Sequence, residues 1–162
     1  MSKVKNIIVV CWGNIYRSVI AEELLRKIVT DRGMHAHYRI ESRGIQGTMG
    51  VAPPEYSNLR SYQETYAHTS KALEAYSIKM PENKISTPIS QDDIDHADKI
   101  LVLGDDAYQK LRTEWRYKPA ILKKMFLLSK VEDPHNRKDE RYLQDIVQQI
   151  ADDVNQFAHD EL

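Results

Sequence analysis

A single cysteine, Cys11, is all the thiol in these 162 residues. No intramolecular disulfide can form and no CxxC zinc or redox site exists. A disulfide-built secreted scaffold is excluded with them. Long apolar runs are missing too. The first, Ile7 to Trp12, is too short for a secretion-signal core, and no later run approaches the ~18 residues of a membrane span. An excess of charge is also lacking: 23 Lys and Arg stand against 24 Asp and Glu, a net charge of -1. That balance draws the whole molecule toward neither nucleic acid nor an anionic membrane. There is no internal repeat and no low-complexity tract. These absences predict one cytoplasmic domain over residues 1–162, long enough to bury roughly 70% of its unfolded surface without staples.

What is present alternates short apolar runs with longer helical patterns. Ile7 to Val10 reads as a central strand covered on both faces. A helix pattern runs from Ser18 to about Arg32, with Gly33 as its C-cap. A second strand covers Tyr38 to Ser42, followed by a Gly- and Pro-rich loop from Gly44 to Tyr56. Leu59, Tyr62, Tyr66, Leu73 and Tyr76 share helical spacing, read as core packing. A short helix is expected over Asp92–Ala97, a strand over Lys99–Leu103, and a helix from Asp105. The basic residues Arg112, Arg116, Lys118, Lys123 and Lys124 read as a solvated face. A fourth strand covers Met125–Leu128, and a final helix runs from Lys138 to Ala158. The order predicts a three-layer α/β fold: a four-stranded parallel sheet flanked by helices on both faces. Ligands of such sheets sit at the carboxyl ends of the strands, so the loops after Val10, Ser42 and Leu128 should converge.

The first of these loops carries the chemistry. It reads Cys11-Trp12-Gly13-Asn14-Ile15-Tyr16-Arg17-Ser18. Gly13 and Asn14 tolerate positive φ, so the chain can curl and turn successive N–H groups inward as an anion nest. The helix that follows adds its positive end. Arg17 offers a planar fork that matches two phosphate oxygens. That field favours the thiolate of Cys11, and Ser18 is placed to donate a hydrogen bond to it. A thiolate beneath a bound phosphate is set for in-line attack on phosphorus. A lone cysteine is ordinarily a small buried hydrophobe. But Gly, Asn, Arg and Ser at four fixed offsets, at roughly 5% usage each, arise by chance only about once in 10⁵. The loop lacks the Lys-Ser/Thr of a nucleotide P-loop and is not a dinucleotide GxGxxG.

Val10 through Ser18 resembles the signature of the low-molecular-weight protein tyrosine phosphatases. The resemblance implies a cysteine-dependent phosphomonoester hydrolase with no metal and no organic cofactor. It also implies catalytic roles for Cys11, Arg17 and Asp133. Asp133-Pro134 follows the fourth strand, where that family keeps its general acid: a departing phenolate needs a proton, and Pro134 fixes the backbone that aims the carboxyl. Glu132, Asp105 and Asp106 are the rival acids. Trp12, Gly13, Asn14, Ile15, Tyr16, Arg17 and Ser18 would form the phosphate cradle, and Ser42 matches a serine that braces it through Asn14. The expected partners are a phosphorylated protein or a small phosphoester.

The sequence also departs from that family. Tyr16 stands where many members carry a second cysteine, so no disulfide can form within the loop to protect oxidised Cys11. The cysteine cascade of the family's arsenate reductases cannot run. Ile15 replaces the threonine of phosphoarginine phosphatases and favours phosphotyrosine. The usual pocket-rim aromatics are missing, with Thr48-Met49 at one position and His135-Asn136 at the other; Tyr56 and Trp12 are the available replacements. The altered rim keeps alternatives in view: a phosphoarginine or small-molecule phosphatase, a phosphate-recognition module without turnover, and a phosphocarrier or sulfurtransferase. Release of p-nitrophenol separates the enzymes from the module.

Overall fold

The computed structural model of the protein describes residues 3–114, 119–134 and 137–162. Four strands form one parallel sheet: β1 (Lys5–Cys11), β2 (Tyr38–Gly44), β3 (Lys99–Leu103) and β4 (Met125–Ser129), in the order β2-β1-β3-β4. The helices are α1 (Arg17–Asp31), α2 (Gln63–Glu74), α3 (Gln91–His96), α4 (Asp105–Glu114), α5 (Pro119–Lys124) and α6 (Glu140–Glu161).

The period-two alternation of a strand sorts the apolar side chains into two cores. Ile7, Val9, Cys11, Leu101 and Leu103 face α1, α2 and α6, where Ile20, Leu25, Leu73, Val147 and Ile150 meet them. Ile8, Val10, Ile100 and Val102 face the other way, onto Ile94, Ala107, Leu111 and Ile121 of α3, α4 and α5. Both faces of β1 and β3 are therefore dry, which is why these strands read as unbroken apolar runs. The three-layer α/β arrangement expected from the sequence is the one observed.

Some details differ. The run from Leu59 to Tyr76 is not one helix. A 3₁₀ turn spans Leu59–Ser61, the chain breaks at Tyr62 (φ -96, ψ 71), and α2 ends at Glu74. The cause lies in Asn58. Its Oδ1 accepts from Arg60 N at 2.7 Å, while its Nδ2 donates to the carbonyls of Glu82 and Lys84 at 2.9 and 2.8 Å. Side-chain bonding of this kind competes with a regular helix start. In the basic stretch, α5 was not expected; Ile121 is buried in the second core and Lys124 Nζ donates to the Ile94 carbonyl. Arg116, Lys118, His135 and Asn136 lie outside the described residues. The acidic residues of α3 are a cap, with Ser90 and Asp93 in a reciprocal capping box. Among the described residues, no helix is long and apolar enough to cross a membrane.

The strand order sets the site. From β1 the chain passes to β2 on one side, while β3 lies on the other side of β1. The carboxyl ends of β1 and β3 thus flank the crevice at which such sheets bind ligands.

Candidate active site

Cys11 is the last residue of β1 and is 2% exposed. The loop after it turns through Asn14, whose φ of 54° is accessible to asparagine at low cost. That turn brings Asn14 N–H back to within 3.3 Å of Cys11 Sγ. Ser18 Oγ, in the first turn of α1, lies 3.1 Å from the sulfur. Among the described residues, the N–H groups of Gly13, Ile15 and Tyr16 donate to no protein acceptor. Gly13, Ile15 and Tyr16 line a pocket of about 250 Å³ with Cys11 and Arg17.

One buried asparagine organises the back of the loop. Asn14 Oδ1 accepts from Thr87 N–H at 2.9 Å. A backbone N–H can only donate, so the amide's orientation is settled and Nδ2 must face the other way. It donates to Ser18 Oγ at 2.9 Å and to Ser42 Oγ at 3.0 Å. Toward a Cys11 thiolate, which carries no hydrogen, the Ser18 hydroxyl is the donor. Ser86 adds a strut by donating to the Gly13 carbonyl at 2.7 Å. Gly44 makes this contact of β2 with the loop possible. A Cβ there would lie 2.9 Å from Asn14 Cβ and 3.0 Å from both Asn14 N and Gly13 C. Gly44→Ala should therefore destabilise the fold by ~1–3 kcal/mol and lower kcat as well, because the displaced backbone belongs to the loop. Urea unfolding and turnover of the same preparation test both effects.

Arg17 is 2% exposed, and its guanidinium is held on several sides. Nη1 and Nη2 pair with the Asp106 carboxylate at 3.3 and 3.0 Å, and Nη1 also donates to the Val131 carbonyl at 3.1 Å. Burial works against its charge. The negative fields of Cys11, Asp106 and Asp133, with the Asp106 hydrogen bond, outweigh it and hold the guanidinium above its ordinary range. The close approach depends on Gly104, at the end of β3 with φ +95, where a Cβ would overlap both the guanidinium and the Asp106 carboxylate.

The acid side of the pocket comes from the segment after β4. Asp133 is 27% exposed, lines the pocket, and places Oδ2 3.7 Å from Arg17 Nη2. Pro134 is buried beside it. Asp106 is committed to Arg17, and Glu132 and Asp105 do not line the pocket. The remaining wall is Gln46, Pro54, Glu55, Leu59, Tyr62 and Thr65. Burial raises the Tyr62 phenol above its ordinary value, and the charges of nearby Glu55 and Asp133 add to that; a backbone hydrogen bond with Tyr56 opposes it. Tyr62 is therefore a neutral aromatic wall.

The structure brings Cys11, Gly13, Ile15, Tyr16, Arg17, Asp133 and Pro134 to one pocket, with Asn14, Ser18 and Ser42 behind it. It does not bring Trp12, Met49 or Tyr56 to that pocket. Trp12 and Met49 pack against the second core, and Tyr56 stands outside with its ring perpendicular to that of Tyr62, centroids 5.4 Å apart. The aromatic wall is Tyr62, delivered by the break that the helical spacing concealed. In the place of a second loop cysteine, Tyr16 runs into the first core, and its hydroxyl hydrogen-bonds Thr69 Oγ1 of α2 at 2.9 Å. Sequence reasoning missed Gly44, Ser86, Thr87 and the pairing role of Asp106. A glycine closing an apolar strand at Leu103-Gly104 was the one signal available for that last contact.

Comparison with known proteins adds three findings. A sequence model of the family described as low molecular weight phosphotyrosine protein phosphatase matches residues 6–162. A protein of that description from Gallus gallus is 29% identical over 147 residues, spanning 85% of each chain, and one from Homo sapiens is 26% identical over 143 residues, spanning 83% of this chain and 82% of that one. The crystal structure of a low molecular weight protein tyrosine phosphatase from T. tengcongensis shares the fold, with a TM-score of 0.74 at 16% identity over 96% of this chain and 99% of that one.

Proposed function

This chain belongs to the low molecular weight phosphotyrosine protein phosphatase family, and from that premise we propose that it hydrolyses phosphotyrosine through a thiophosphate on Cys11. One observation carries the assignment of roles. The Cys11 sulfur lies in the same pocket as the Arg17 guanidinium and the Asp133 carboxyl, and the latter two are 3.7 Å apart.

The donors of Arg17 can be counted. Asp106 and Val131 use both hydrogens of Nη1, and Asp106 uses one of Nη2. One Nη2–H and the Nε–H remain, a parallel fork for two phosphate oxygens. The N–H groups of Gly13, Ile15 and Tyr16 take the third equatorial oxygen and share the other two. Phosphorus then stands over the sulfur with its leaving oxygen toward Asp133. In the first step Cys11 thiolate attacks phosphorus, the bond to the phenolic oxygen breaks, and Asp133 gives that oxygen its proton. In the second step the Asp133 carboxylate takes a proton from water, whose oxygen attacks phosphorus and releases the thiolate and inorganic phosphate. Arg17 and the loop N–H groups stabilise the equatorial oxygens both times. Asn14, Ser18 and Ser42 hold the loop and the thiolate in place, and Pro134 aims Asp133.

Tyr62 and Leu59 offer an apolar slot for the phenyl ring, which supports an aryl phosphate over a small polar phosphoester. We read residues 1–162 as one domain and place it in the cytoplasm, where a thiol nucleophile stays reduced.

The test is leaving-group dependence without added metal. Wild type should release p-nitrophenol from p-nitrophenyl phosphate and phosphate from a phosphotyrosine peptide, both in the presence of EDTA. Asp133→Asn should lower kcat on the peptide by about 10²–10³-fold and by much less on p-nitrophenyl phosphate, whose better leaving group needs less protonation. Equal losses on the two substrates would remove Asp133 from the role of acid. No turnover of either by reduced, folded protein would leave a phosphate-recognition module.

A further inference from the structure

A second cavity adjoins the catalytic pocket, and we propose that it binds a cationic side chain of the substrate, an Arg or Lys next to the phosphotyrosine. The inference rests on the phosphotyrosine reading above. Among the described residues lining the catalytic pocket, Glu55 alone is exposed, which puts it on the rim. A peptide whose phosphotyrosine reaches Cys11 can leave the pocket past Glu55. What it meets outside is a cavity of about 370 Å³ lined by Glu55, Tyr56, Ser61, Tyr62, Gln63, Glu64 and Lys138. The two spaces share Glu55 and Tyr62, so Tyr62 is a partition with the phosphotyrosine ring on one side and the neighbouring residue on the other.

The chemistry of the second space is that of a cation site. It holds the carboxylates of Glu55 and Glu64 against one ammonium, Lys138. Lys138 Nζ comes no closer than 4.0 Å to Glu64, and both side chains are more than half exposed. Such a pair is loose and screened. Glu55 makes no ion pair among the described residues. The ring of Tyr56, 47% exposed and perpendicular to that of Tyr62, adds an aromatic surface against which a guanidinium can lie. A flanking Glu or Asp would instead meet the uncompensated Glu55 charge at the rim.

Two phosphotyrosine peptides of equal length test this, one with Arg on both sides of the phosphotyrosine and one with Glu on both sides. Wild type should show a kcat/KM about twofold to fivefold higher for the Arg peptide at low salt, since an exposed ion pair is worth up to about that factor. The ratio should shrink in 0.5 M NaCl, as screening demands. In the double variant Glu55→Gln/Glu64→Gln it should fall to near one. Equal kcat/KM for the two peptides in wild type overturns the proposal, and so does a preference that survives the double substitution. Turnover of p-nitrophenyl phosphate by the same wild-type preparation separates the failures. That substrate has no flanking residue, so its hydrolysis with no peptide preference condemns the subsite, while failure to hydrolyse it condemns the phosphatase reading.

Discussion

Cys11→Ser should leave a folded protein that still binds phosphate but turns over p-nitrophenyl phosphate at least about 10⁴-fold more slowly. A serine hydroxyl is a far weaker nucleophile than a cysteine sulfur, so the substitution removes the nucleophile with little change in shape. The surroundings have partners for the new oxygen. Asn14 N–H, 3.3 Å from the sulfur, can donate to it, and Ser18 Oγ stands 3.1 Å away. The buried strand end therefore keeps its hydrogen bonds, and the thermal midpoint should move by no more than a few degrees. Arg17 and the loop N–H groups are untouched. With no thiolate to repel an incoming dianion, vanadate or inorganic phosphate should bind as tightly as to wild type, or more tightly. Cys11 is the only thiol in the chain, so no second sulfur can stand in for it. Turnover above about 1% of wild type in the Ser variant would place the nucleophile elsewhere. Loss of phosphate binding together with activity would mean that the cradle had collapsed.

Arg17→Lys is expected to lower kcat by about 10²–10³-fold, the scale of losing a donor aimed at transition-state charge, although the formal charge is kept. Arginine presents five N–H donors in a rigid plane, whereas lysine has three on a single nitrogen. The guanidinium already serves Asp106 twice and Val131 once before any substrate arrives. One ammonium cannot hold both carboxylate oxygens, reach a carbonyl on another loop and still present a fork to phosphate. Whichever duty it drops, a group around a 2% exposed side chain loses its partner. That should cost ~1–3 kcal/mol of stability, visible in urea unfolding. Phosphate affinity should fall along with kcat, because the same fork holds ground-state and transition-state oxygens. A Lys variant within about threefold of wild type in kcat/KM would show that the loop N–H groups alone carry the oxyanion.

How much of this was readable from the chain can be followed residue by residue. Ile7 to Val10 and Lys99 to Leu103 are visible because strands dry on both faces must be apolar at every position. The loop after β1 is visible because its parts are contiguous: the sulfur, the turn residues, the arginine and the helix start lie within Cys11–Ser18. The helix break at Tyr62 is invisible, because its cause is a side chain, Asn58, whose amide bonds carbonyls 24 and 26 residues further on. Leu59, Tyr62 and Tyr66 keep helical spacing whether or not the helix starts there. The missing rim aromatics pointed to Tyr56 and Trp12 as replacements, yet Trp12 follows a strand residue into the opposite core and Tyr56 stays outside the pocket.

By itself the sequence determined the layer order of the fold and the chemistry of the phosphate loop, since both are written in local patterns: the period of the apolar residues and the spacing of eight consecutive positions. Tertiary structure alone decided what surrounds that loop. Asp106 reaches Arg17 across 89 positions, and Thr87 orients Asn14 across 73. Tyr62 arrives from a segment whose own spacing points to a core helix, and Glu55 from the Gly- and Pro-rich loop before it. Such contacts form because parallel strands from distant parts of the chain end at one edge of the sheet, where their loops must share a small volume. Local periodicity holds no record of which side chains will meet there.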